Sequence, residues 1–416
     1  MNLVAGYVLY LAVFFNAVLA VINGHVASLE RGHIVVAEMA IYAAALLTVI
    51  LNADRKMLPW FLLAFFIVLN GFLLALGNGA FNPKFMRDVL VIPIFVMLGM
   101  TYRGGSLTRP IVIVQTVTFV VAILEALRPE AYSEIFQILK YYVNTRDFSE
   151  SSFWNTDSNL FVSATRPGDR FFGFVDLHRL SSIFLEPVSL GNYCVIVVVF
   201  LVACWPELSA RVRYYLAVST LALLIGCDGR LAAASILIVL ISAIFVRRIP
   251  SRWSFVYLPI MLLLAAIFTR SSDVEAGQDN FSGRVAGSMV VLSRVDFSGL
   301  LGLDASAAGS AMDSGITYFV LTQSFVGVIL IWLAVCLFPN GRRYSSRLYV
   351  HGTAIFIPLN LLVSYSFFSI KVASVIWFYF GYFLTKDDSE DLESSSLSNS
   401  PFSSMAPGTE IGRATI

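Results

Sequence analysis

Twelve runs of apolar side chains, each about 15 to 24 residues long and nearly free of charge, make up most of this chain. They fall near 2–23, 33–51, 58–77, 87–102, 110–127, 187–204, 213–227, 231–246, 254–269, 314–338, 349–366 and 371–384. A helix rises about 1.5 Å per residue, so a run of some 20 residues crosses the roughly 30 Å hydrocarbon core of a bilayer. The pattern therefore predicts an all-α polytopic integral membrane protein with about 12 transmembrane helices and both termini on one side. Two connections, 128–186 and 270–313, are long, and every other one is short. Long loops carried by a rigid scaffold tend to hold function. The first contains "EAYSEIFQILKYYVN", which reads as short helices; the second turns amphipathic from Arg284 to Arg294.

Composition sharpens this picture. Of the 416 residues, 58% are hydrophobic and 13% charged, with a mean hydropathy of +0.79. A soluble domain carries about 25% charged residues, so a soluble enzyme is excluded. A net charge of +1 says nothing about partners, and no nucleic-acid partner is expected of such a chain. The placement of the charges is more telling. With the N-terminus cytoplasmic, one set of short loops holds Arg55, Lys56, Arg103, Arg109, Arg211, Arg213, Arg247, Arg248, Arg252, Arg342, Arg343 and Arg347. The opposite short loops hold only Arg31, Lys84, Arg87, Arg230 and Lys371. That asymmetry makes the first set cytoplasmic and turns both long loops outward. The first run lacks a basic leader and a small-residue cleavage site, so it reads as a helix that stays attached. Cys194, Cys204, Cys227 and Cys336 lie in or beside apolar runs and read as small buried hydrophobes. The chain thus divides into helices 1–5 (1–127), a large outer loop (128–186), helices 6–9 (187–269), a second outer loop (270–313), helices 10–12 (314–384) and a Ser-rich, acidic, disordered tail (385–416).

Ionisable residues gather in three places at the outer edge. "GDRFFGFVDLHRLSSIFLEPVSLGNY" brings Asp169, Arg170, Asp176, His178, Arg179 and Glu186 to the start of the sixth run. Charges at membrane depth are expensive unless they pair or line a cavity. They read either as ion pairs tying loop to bundle or as a polar cavity for an anionic ligand. "CDGR" puts Asp228 and Arg230 in a tight turn, where Gly229 would supply an unusual φ and Arg230 would snorkel to the headgroups, or join the same cavity. "NFSGR" and "MDSG" contribute Arg284, an interfacial anchor or a ligand contact, and Asp313, a helix N-cap or a base.

The ordered set "RLSSIFLEPVSLGNY", "CDGRLAAASILIVL" and "SGRVAGSMVVLSRVDFSGLLGLD…MDSGITYFVLTQSFVG" resembles the bacterial O-antigen polymerase and O-antigen ligase superfamily over roughly residues 168–330. It is most similar to the exopolysaccharide repeat-unit polymerases of the xanthan type. The resemblance implies a GT-C-like fold in the bacterial inner membrane. It also implies a metal-independent inverting glycosyltransferase that joins oligosaccharide repeats carried on polyprenyl (undecaprenyl) diphosphate, without a cofactor and alongside a chain-length or export protein. Ligases carry a histidine at the helix start where this chain has Asp313 and Ser314, which favours the polymerase branch. On this reading Arg179, Arg230 and Arg284, with Arg170 in reserve, bind the diphosphate, since a guanidinium holds two phosphate oxygens at once. Glu186, then Asp313, then His178 are the candidate bases, Glu186 because burial beside Pro187 would raise its pKa. The alternatives are a ligase-like glycosyltransferase and, in a different class, a flippase for lipid-linked oligosaccharides, which would usually show two similar halves.

Overall fold

All twelve apolar runs fold as helices in the computed structural model, which describes residues 2–102, 105–146, 148–153, 155–166, 170–174, 177–271, 280–311 and 314–398. For residues 2, 152 and 387–398 the description covers the backbone alone. Arg103, Asp169, Asp176, Asp313 and residues 399–416 lie outside the described residues. In chain order the helices begin with α1 (Asn2–His25), α2 (Arg31–Leu51), α3 (Leu58–Asn78), α4 (Pro83–Thr101) and α5 (Arg109–Leu127). The first long loop holds α6 (Pro129–Phe136) and α7 (Ile138–Arg146), separated by Gln137 at φ 41°. Then come α8 (Pro187–Cys204), α9 (Ala210–Cys227), α10 (Arg230–Val246) and α11 (Tyr257–Ser271). The second long loop carries α12 (Phe281–Ser293) and the single turn α13 (Phe297–Leu300), and α14 (Gly315–Leu337), α15 (Tyr344–Leu361) and α16 (Ile370–Ser398) close the bundle. Among the described residues, eight helices are long and apolar enough to cross a membrane, and the chain is a polytopic membrane protein. The other four apolar runs are α4, with three charges in its first turns, the shorter α10, and the more polar α15 and α16.

The sequence explains most starts. Proline sits in the first turn of α3, α4, α5, α6 and α8, where no intrahelical hydrogen bond is lost and φ is already helical. Several boundaries differ from expectation by three residues or more, and three of them have a visible cause. A 3₁₀ stretch, Ser251–Val256, delays α11. α15 begins at Tyr344 because the Arg347 guanidinium donates to the Gly341, Arg342 and Arg247 carbonyls, each at 3.2 Å, which makes its polar first turn tolerable. α16 runs as backbone helix to Ser398, past the expected end at 384, so residues 385–398 are not the disordered segment that their composition predicts. Extending a formed helix costs far less than starting one.

Association between apolar helices in lipid relies on close packing because burial from water supplies no drive. The tightest approach is α4 on α16, where Gly99 and Gly381 let the backbones touch. A Cβ on Gly99 would lie 1.9 Å from the Phe378 carbonyl oxygen, and one on Gly381 1.8 Å from that of Val96. Where α2, α4 and α14 begin, buried charges pair. Arg87 bridges Glu38 and Asp88, and Tyr318 Oη donates to Asp88 Oδ2 at 2.7 Å.

α14 is broken nine residues in. Ser324 takes φ 62°, ψ 159°, a conformation that side chains other than glycine rarely adopt and that costs about 1–3 kcal/mol. Neighbours hold the break in place. Asn70 Nδ2 donates to the Gln323 carbonyl at 2.9 Å, and Ser324 Oγ accepts from Gly327 N–H at 3.1 Å. Ser324→Ala keeps the strained backbone and loses the cap, at a cost of about 1 kcal/mol, whereas Ser324→Gly relieves the strain. Thermal unfolding in detergent should therefore rank Ser324→Gly above Ser324→Ala, and the reverse order would show that the break carries no strain.

Candidate anion-binding site

The cavity is set by a helix end. The last carbonyls of α9 run short of helical donors, Ile225 O keeping only the Asp228 cap amide at 3.3 Å, and the first long loop supplies more. Arg170 Nη2 donates to Ile225 O at 2.6 Å and Gly226 O at 3.1 Å, and Leu180 N–H adds a second donor to Gly226 O at 3.0 Å. Arg179 reaches Cys227 O at 3.3 Å and Asp228 O at 3.4 Å, and its Nη1 reaches Ser163 O at 3.3 Å. In return the buried Asp228 carboxylate accepts Phe171 N–H at 3.2 Å and Phe172 N–H at 2.9 Å. The left-handed residue of this turn is Asp228, at φ 52°, and not Gly229, whose φ is −81°. Gly229 serves close packing instead. A Cβ there would meet Ala232 Cβ at 3.1 Å and Cys227 Sγ at 3.2 Å, facing Gly191 of α8.

The folded loop encloses a cavity of about 670 Å³, within the range of small-molecule sites. Arg166, Arg170, Arg179, Arg230, Arg284 and His178 all line it. The first turns of α8, α10 and α12 also face it, through Val188, Arg230 and Phe281. Helix N-termini present N–H groups and a positive partial charge, so three of them together with the arginines make a strongly anion-seeking wall. Burial lowers the pKa of Arg179, with nearby Cys227 and Asp228 opposing and the Arg166 and Arg230 charges adding to the fall. Like charges held this close favour an anion between them.

The sequence candidates sort as follows. Arg179, Arg230, Arg284 and His178, drawn from three separate stretches, share this cavity. Arg170 is there too, but its two Nη atoms also reach the Leu177 and His178 carbonyls as well as those of α9. It acts as a strut and has little left for a phosphate. Arg284 faces the cavity from α12, whose N-cap Asn280 Oδ1 accepts Gly283 N–H at 2.7 Å. Arg166 belongs to the set and escaped the sequence reading; its stretch "ATRPG" carries no other signal.

Glu186 sits elsewhere. It pairs with the buried Lys371 at 3.1 Å, accepts Ser189 Oγ–H at 2.6 Å and is bonded by Tyr142 Oη–H. Lys371 also donates to Phe184 O at 2.7 Å. Burial is the largest single influence on Glu186 and pushes its pKa up, as expected from sequence. Lys371, Ser189, Tyr142 and Arg146 together outweigh it, and the net value is lowered. The raised pKa expected of a base is therefore corrected, and this carboxylate is a clamp between α7, α8 and α16. Asp313 lies outside the described residues. His178 thus becomes the candidate base on the cavity wall, and its Nε2 lies 3.2 Å from Glu125 Oε1. Glu125 was hidden inside the apolar run of α5, although a lone carboxylate in such a run is itself a signal. The four cysteines are buried and free.

Comparison with protein-family models, curated proteins and solved structures gave no match to the chain.

Removing the Glu186 charge leaves Lys371 buried without its partner, which costs about 3 kcal/mol or more. Glu186→Gln should lower the unfolding temperature in detergent while activity per folded molecule persists; a normal unfolding temperature with lost activity would return Glu186 to the site. Since its folded pKa lies below the ordinary 4.5, the ionised form adds stability above that pH and loses it as pH falls through the folded value. Unfolding midpoints of the native chain should drop more steeply below pH 4.5 than those of Glu186→Gln.

Proposed function

We propose that this protein is a polysaccharide polymerase of the bacterial inner membrane, with a GT-C-like fold and cytoplasmic termini. On this reading it joins oligosaccharide repeat units carried on polyprenyl diphosphate at the periplasmic face, alongside a chain-length or export protein. The observation that carries the reading is the convergence of Arg166, Arg179, Arg230 and Arg284 with three helix N-termini on one cavity at the loop-bearing end of the bundle. Such a wall suits a diphosphate whose negative charge grows as the glycosidic phosphate bond breaks. Contacts that strengthen with that charge accelerate the reaction. His178 is the base on the same wall. It would take the proton of the acceptor hydroxyl as that oxygen attacks the anomeric carbon, giving inversion in a single displacement. The order of the sequence motifs supports the same assignment. A flippase would place its charges near the bilayer midplane, whereas these lie where α8 and α10 begin and α9 ends.

The test is purified protein in nanodiscs given a polyprenyl-diphosphate-linked oligosaccharide. A ladder of products with released polyprenyl diphosphate is the expected result. Transfer of a single glycan to a lipid acceptor would instead indicate a ligase, and movement of unextended substrate across liposomes a flippase. In the ladder assay Arg230→Ala and Arg284→Ala should each lower the rate on the order of a hundredfold or more while inserting normally. Lysine should rescue poorly, because an ammonium cannot bond two phosphate oxygens in the plane of a guanidinium. Normal ladders from either alanine variant would remove that arginine from the site.

A further inference from the structure

We infer that Glu125 is a positioning residue for His178, and that the pair is the proton acceptor of the cavity, with Nδ1 as the accepting atom. This rests on the function proposed above. Glu125 stands near the end of α5 and its side chain is fully buried, whereas that of His178 is 17% exposed on the cavity wall. The Glu125 carboxylate is pinned from behind. Ser181 N–H reaches Oε1 at 3.0 Å and Oε2 at 2.9 Å, and Ser182 N–H reaches Oε2 at 2.7 Å. Ser182 is fixed in turn, because its Oγ donates to Thr118 O at 2.6 Å and its carbonyl accepts Tyr132 Oη–H at 2.7 Å. The backbone on either side of the imidazole is tied as well. The His178 carbonyl accepts Arg170 Nη1–H at 3.0 Å, and Arg179 N–H donates to Ala164 O at 3.2 Å.

The arrangement decides the tautomer. Three backbone N–H contacts favour the ionised carboxylate, and with Glu125 ionised the hydrogen of the 3.2 Å contact belongs to His178 Nε2. Nδ1 then keeps the lone pair. A buried carboxylate on one ring nitrogen orients the ring and stabilises the cation that forms when the other nitrogen takes a proton. The charged groups around the ring are Glu125 behind it and, along the same cavity, Arg166, Arg170, Arg179, Arg230, Arg284 and the Asp228 carboxylate, which the Phe171 and Phe172 amides hold. Without Glu125 those arginines would oppose an imidazolium. In the transfer step the acceptor O–H proton passes to Nδ1 as the oxygen bonds to the anomeric carbon. The bond from that carbon to the phosphate oxygen breaks, and its electron pair leaves on the polyprenyl diphosphate. The imidazolium afterwards releases the proton to solvent.

The experiment uses the full chain in nanodiscs with a polyprenyl-diphosphate-linked oligosaccharide. Glu125→Gln keeps the size of the side chain but offers a donor to Nε2, which favours the wrong tautomer. It should lower kcat roughly a hundredfold or more, leave KM for the lipid-linked donor within about twofold, and shift the acid limb of the pH–rate profile. His178→Asn should lose as much, and the double variant no more. Nitrogen-15 spectra of the histidines in the unmodified protein should show Nε2 protonated and Nδ1 not, a readout that stands even where a Glu125 variant does not fold. A ladder that survives Glu125→Gln with an unchanged pH profile, or a ring protonated at Nδ1, would overturn the pair while leaving the polymerase reading intact. Absence of any ladder from the unmodified protein would overturn that reading, and the role of the pair with it.

Discussion

The carbonyls at the end of α9, which the helix itself cannot fully satisfy, are the constraint on which the rest of the site depends. A helix that stops in apolar surroundings leaves its final C=O groups without donors, and each such group is costly to bury. Here the donors arrive from a loop far away in sequence. Arg170, Arg179 and the Leu180 amide cover Ile225 to Asp228, while the Asp228 carboxylate holds the amides of Phe171 and Phe172. Satisfying the helix and folding the loop are one event. The cavity is the space left between that loop and the first turns of α8, α10 and α12.

The same geometry explains why so much positive charge is tolerated in one place. Arg170 faces the negative end of the α9 dipole, which favours a cation. Arg179 shares that negative end through the Cys227 and Asp228 carbonyls, whereas Arg230 and Arg284 stand in the first turns of α10 and α12, at positive ends where no dipole rewards them. Among the groups around the cavity, Asp228 is the carboxylate nearest to Arg170, with Oδ1 at 3.9 Å from Nε. A wall of this kind gains when an anion occupies it, and under the proposed function a diphosphate leaving group would exploit that gain as its charge grows.

Two carboxylates near the same loop have opposite tasks. Glu186 is surrounded by Lys371, Ser189 and Tyr142, which hold it ionised and fixed between helices. Glu125 faces an imidazole that borders the cavity. Proximity to proline and to the membrane edge, the argument that singled out Glu186, does not separate these roles. The identity of the neighbours does, and those neighbours come from α7 and α16 in one case and from the loop after residue 177 in the other.

The sequence by itself determined the membrane class, the existence of every apolar helix, the two long loops and four of the five arginines that share the cavity. These are local properties. Apolar run length, prolines at helix starts and charges at run ends act through the backbone and the bilayer, whatever the distant chain does. Tertiary structure alone decided what each charge is for. Arg170 became a strut because α9 ends beside it, Glu186 a clamp because Lys371 lies beneath it, and Glu125 a partner for His178 because α5 ends behind the loop. Such roles depend on contacts between residues tens to hundreds of positions apart, and no spacing along the chain encodes them. The turn at Asp228 and the break at Ser324 were hidden for a related reason. A non-glycine residue holds a left-handed or extended positive-φ conformation only when its surroundings enforce it, and here the enforcing groups are Phe171, Phe172 and Asn70, all remote in sequence.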